Sequence, residues 1–73
     1  MSRTALLLAE IQRPGSTHAT IARIYADGLL HHHRTDFVDW PTVNTALLKR
    51  YRPSGLDRIK RLAWTLYDAA RTA

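Results

Sequence analysis

The chain has 73 residues, eleven of them lysine or arginine and six aspartate or glutamate, giving a net charge of +5 with histidine neutral. Cysteine is absent, which excludes a disulfide scaffold, a cysteine-ligated zinc finger and a thiol nucleophile, and suits a reducing compartment. A chain this short makes one small domain, residues 1–73, with a modest core that self-association would reinforce.

From the N-terminus, Ser2 is placed to cap a first helix whose apolar positions Ala5, Leu8 and Ile11 recur at helical spacing. Arg13-Pro14-Gly15 ends it. The run Ala5 to Ala9 is too short for a signal core or a membrane span, and Glu10 follows it directly. A soluble cytoplasmic protein without membrane contact is therefore expected.

Ser16 or Thr17 caps a second helix, roughly Thr17 to Leu30, with His18, Ile21, Ile24, Tyr25, Gly28 and Leu29 on its inner face. Gly28 costs about 1 kcal/mol of helix propensity relative to alanine, and the expected return is close approach of a neighbouring helix. His31 to Val38 lacks periodicity and reads as a loop, with one short extended piece at Phe37-Val38. His31, His32 and His33 do not make a metal site, because consecutive side chains diverge on a helix and alternate on a strand. His18 reads as a core or helix-start residue. No metal or cofactor is expected.

Asp39-Trp40-Pro41 is a helix start, with the acid as cap and proline in the first turn. The third helix runs to about Tyr51 and aligns Trp40, Val43, Leu47 and Tyr51. Arg52-Pro53-Ser54-Gly55 breaks it, and Ser54 with Asp57 three residues on resembles a capping box that opens a fourth helix to about Arg71. The buried stripe of that helix reads Leu56, Ile59, Leu62, Ala63, Leu66 and Ala70. The fold class is all-α, a compact bundle of about four short helices. Helix 40–51, turn 52–55 and helix 55–71 form a candidate helix-turn-helix; a second candidate joins helices one and two around Gly15 but exposes only Arg23 as a strong cation.

Charge singles out one stretch. Lys49, Arg50, Arg52, Arg58, Lys60 and Arg61 face a single acid, Asp57, so residues 49–61 carry six minus one, or +5, and the remainder sums to zero. Trp64 lies three and four residues beyond Arg61 and Lys60 on the solvent side of the expected stripe. Asp57 is spaced to pair with Arg61 at i,i+4. Such a surface suits a polyanion.

The expected function is that of a small nucleic-acid-binding protein, DNA before RNA, of the helix-turn-helix regulator kind found in bacteria and phages. Lys49, Arg50, Arg52, Arg58, Lys60, Arg61 and Trp64 would form the contact surface. A homodimer would extend its few base contacts. The alternative is a small inhibitor or adaptor that docks this basic, Trp-bearing helix on an acidic protein, since tryptophan and arginine are enriched at interface hot spots. Trp64 and Trp40 would serve as a homodimer interface in a third reading. Enzymatic constellations are missing: no two acids fall at i,i+3 or i,i+4 on one helix face as a paired acid and base would, and the glycines stand alone at 15, 28 and 55.

Overall fold

A computed structural model describes residues 2–31 and 38–73. Three helices account for the regular structure of these residues: α1 (Arg3–Gln12), α2 (His18–Leu30) and α3 (Trp40–Thr72). Each start is capped by a side-chain oxygen. Ser2 accepts from the Ala5 N–H, Thr17 from the Thr20 N–H and Asp39 from the Thr42 N–H.

The third and fourth helices expected from the sequence are one element with a kink, so the candidate turn 52–55 does not exist as four residues. Only Arg52 is non-helical, at φ 61° and ψ 176°, and Pro53, Ser54 and Gly55 are already helical. The physical reason is proline. Its fixed φ and missing N–H fit the first turn of a helix, so the chain restarts at Pro53 rather than at a Ser54 cap. A straight helix of 33 residues would measure about 50 Å. The longest dimension of the molecule is 31 Å, so the kink at Arg52 folds the second segment, 53–72, back across the bundle.

The direction of packing follows from individual contacts. Thr4 Oγ1 accepts from the Asp39 N–H at 3.0 Å, while Arg50 reaches the carbonyls at the far end of α1. The first segment of α3, residues 40–51, therefore runs alongside α1 in the same sense. Helix α2 runs opposite to it: Tyr25 donates to Asn44 Oδ1 at 3.1 Å and packs on Trp40 with ring centroids 4.5 Å apart, and His18 meets the Tyr51 ring edge-on at 4.9 Å. Gly28 is buried where α2 crosses the start of α3, and an added methyl would sit 3.1 Å from both Trp40 and Val38. The side chains of Trp40 and Val38, at and just before the start of α3, fill the space that Gly28 leaves.

Leu7, Ile11, Ile21, Val43, Leu47 and Ile59 are the largest fully buried side chains and draw on all three helices. Two stripes differ from expectation. On α1 the buried pair is Leu7 and Ile11, with Leu8 half-buried. In the second segment of α3, Ile59 and Ala63 are fully buried but Leu62 and Leu66 are 40% and 43% exposed, and Ala70 is exposed. Amphipathic spacing continues to the C-terminus; the bundle beneath it does not. Trp40 is half-buried against Tyr25 and Gly28. No described helix is long and apolar enough to cross a membrane.

Candidate polyanion interface

The basic stretch 49–61 spans the kink, and the kink decides where each cation goes. Lys49 ends the first segment exposed, with no hydrogen bond or ion pair among the described residues. Arg50 is committed elsewhere. Its guanidinium donates to the Ile11 carbonyl and, at 2.9 Å, to the Arg13 carbonyl, and lies 5.0 Å from the Tyr51 ring centre. It thereby satisfies C-terminal carbonyls that α1 leaves without helical partners. Arg50 belongs to the scaffold of the surface more than to its free charge.

Arg52 is exposed at the kink itself. Its backbone lies in a region that glycine occupies easily and other residues do not, a strain of order 1–3 kcal/mol. Packing at Gly55 accompanies the bend: Gly55 is buried, and a methyl group there would overlap the Tyr51 Cβ. Here the glycine is a contact point inside the helix, not the turn residue its sequence position suggests.

In the second segment Arg58 and Arg61 are exposed and Lys60 is half-buried. Asp57 holds Arg61 at 2.6 Å, the i,i+4 pair expected from the sequence, and both side chains are mostly exposed. At ~100° per residue, Arg61 falls about 60° from Arg58 on one side and about 60° from Trp64 on the other, and Lys60 lies about 40° beyond Trp64. Arg61 therefore links Arg58 to the flank that carries Trp64 and Lys60. Lys49, Arg52, Arg58 and Arg61 lie at and just beyond the kink; Lys60 accompanies Trp64.

Trp64 is 46% exposed and stands edge-on to Tyr67, with centroids 5.2 Å apart. The Arg71 guanidinium lies 5.3 Å from the Tyr67 ring centre. Lys60, Trp64, Tyr67 and Arg71 thus make an aromatic–cationic ladder along one flank. Tyr67 and Arg71 are not among the residues expected from the sequence, although their i+3 and i+7 spacing from Trp64 was the available signal. Among the described residues no three histidine, aspartate or glutamate side chains gather as a metal site. His32, His33 and Asp36 lie outside those residues, as does the extended piece at Phe37.

Away from the kink, Glu10 accepts from Arg13 at 2.7 Å and from Ser16 at 3.0 Å. Its pKa is lowered, first by the Arg13 hydrogen bond, against a smaller opposing effect of burial. Tyr25 is pushed up by burial, partly offset by its bond to Asn44. Neither group faces the basic kink as a catalytic pair. No family model, curated protein or solved structure matches the chain.

Proposed function

We propose that the protein binds nucleic acid through the kink of α3, with DNA as the expected target. The observation that carries this reading is the placement of Lys49, Arg52 and Arg58, all exposed and without ion pairs among the described residues, around one bend. A surface of unpaired guanidinium and ammonium groups releases counterions when it meets a phosphate backbone, and that release drives binding. The one-residue articulation is tighter than the three- to four-residue turn of a helix-turn-helix. Segment 53–72 therefore keeps a regulator-like role, with backbone contact first and base contact second. Arg58 would lead, with Arg61 joining once Asp57 releases it.

Binding to a random duplex at about 50 mM salt, repeated as salt rises, tests this. The expected result is a linear fall of log K with log salt. Replacing Arg52, Arg58 or Lys49 by alanine should lower the slope by about 0.9 for each phosphate no longer neutralised. Asp57→Asn should strengthen binding, because it frees Arg61 and removes a negative charge. No detectable binding to duplex or single strand at low salt would end the proposal.

The adaptor reading is favoured by one observation, the exposure of Trp64 beside Tyr67 on the outer flank of segment 53–72. Trp64→Ala distinguishes the two. It should leave the salt slope unchanged if the kink binds nucleic acid, and should abolish partner capture if the ladder is a protein interface.

A further inference from the structure

A groove of about 670 Å³ lies between α1 and the first segment of α3. This is within the ~300–1,000 Å³ range of small-molecule sites. Leu8 and Ile11 of α1 and Pro41 and Ala46 of α3 supply its apolar surface, and Lys49 and Arg50 close the end beside the α1 C-terminus. Thr42 and Thr45 also line it, yet their hydroxyls are turned to their own helix: Thr42 donates to the Asp39 carboxylate and Thr45 to the Pro41 carbonyl, both at 2.8 Å. Gln12 adds a neutral carboxamide to the lining. Among the described residues no carboxylate lines the groove. The nearby Glu10 carboxylate is held by Arg13 and Ser16. Arg50 is anchored on α1 carbonyls, so the Lys49 ammonium is the unpartnered charged group at this end.

An apolar trough closed at one end by two cations selects for shape and charge together. A strongly hydrated phosphate gains nothing from Leu8, Pro41 and Ala46, and a neutral hydrocarbon gains nothing from Lys49. We propose that the groove binds a free amphiphilic monoanion, an acyl chain or apolar ring bearing one carboxylate. The apolar body lies on Leu8, Pro41 and Ala46, and the carboxylate accepts from Lys49 Nζ. The groove and the basic kink share Lys49, so Lys49→Glu is expected to weaken both, and the variants that fill the apolar part of the groove are the ones that separate this site from nucleic-acid binding.

Decanoate, decylamine and decanol, titrated into the full chain and followed by amide NMR shifts, test the proposal. Decanoate should bind saturably, with shifts confined to residues 8–12 and 41–50. Decylamine should not bind, and decanol should bind at least about tenfold more weakly, as expected when a charge-assisted hydrogen bond is removed. Lys49→Glu should weaken decanoate by a similar factor. Ala46→Phe fills the groove from a half-buried position, and Thr45→Trp does so from an exposed one that the fold tolerates. Either should abolish binding while leaving duplex affinity intact. Equal binding of decanoate and decylamine, non-saturable shifts, or full binding by Thr45→Trp would overturn the proposal. So would association with anionic phospholipid vesicles in the absence of monomer binding, because the occupant would then be a membrane surface.

Discussion

The two segments of α3 start with similar devices and end differently. Each carries a proline in its first turn, Pro41 after the Asp39 cap and Pro53 after Arg52. The first segment stays between α1 and α2 along its length, and Val43 and Leu47 are fully buried. The second buries Gly55, Ile59 and Ala63 and then leaves the bundle, so Leu66 and Ala70 face solvent with the same spacing, while Leu62, one residue before Ala63, is exposed at the edge of the stripe. An apolar stripe states which side of a helix can be buried. Whether it is buried depends on how far the neighbouring helices reach.

The largest test of that contrast sets Ile59→Ala against Leu66→Ala. Ile59 is fully buried, and its truncation should cost about 2–5 kcal/mol in urea unfolding. That is a large share of the ~4–11 kcal/mol available to a chain of this size. Leu66→Ala should cost under about 1 kcal/mol, because little cavity forms at an exposed site. Equal losses would mean that the C-terminal turns are covered in solution.

Next comes the bend between the segments. Gly55→Ala places a methyl against the Tyr51 Cβ and should destabilise by about 1–3 kcal/mol despite alanine's better helix propensity. A stability gain would show that the bend opens freely. Arg52→Gly acts in the opposite direction. It relieves the positive φ but loosens the unfolded chain, and a net gain of about 0.5–1 kcal/mol is expected in thermal unfolding. The same variant should reduce the salt slope for DNA, separating the strain at Arg52 from its charge.

The smallest effect concerns α1, at the far side of the first segment. Glu10 has a folded pKa below its ordinary value of 4.5, so its contribution is complete above that value and fades as pH falls through the lowered one. Glu10→Gln should therefore flatten the acid limb of a melting-temperature profile below about pH 4.5 and leave the alkaline limb unchanged.

Several elements were legible before any fold was known. Ser2 and Asp39 cap where their side chains allow, and Thr17 is the one of the two candidates, Ser16 and Thr17, that caps α2, because capping needs only a short oxygen-bearing side chain before a helical run. The Asp57–Arg61 pair forms because i,i+4 spacing alone brings the groups together. The role of Arg50 was not legible, since it depends on the α1 carbonyls 37 and 39 residues earlier in the chain. The groove beneath Lys49 was not legible either, as its walls come from two helices that do not adjoin in sequence.

The +5 charge of residues 49–61, the absence of thiol chemistry and the helical class were determined by the sequence by itself, because composition and local spacing depend on near neighbours. Only the tertiary structure decided that an expected four-residue turn is a single strained residue, that Gly55 serves packing, and that the cations divide between a scaffold bond, a kink and an aromatic flank. The physical reason is the same throughout. Local preference sets the state of each segment, whereas burial and charge presentation are set by which surfaces the folded chain brings together.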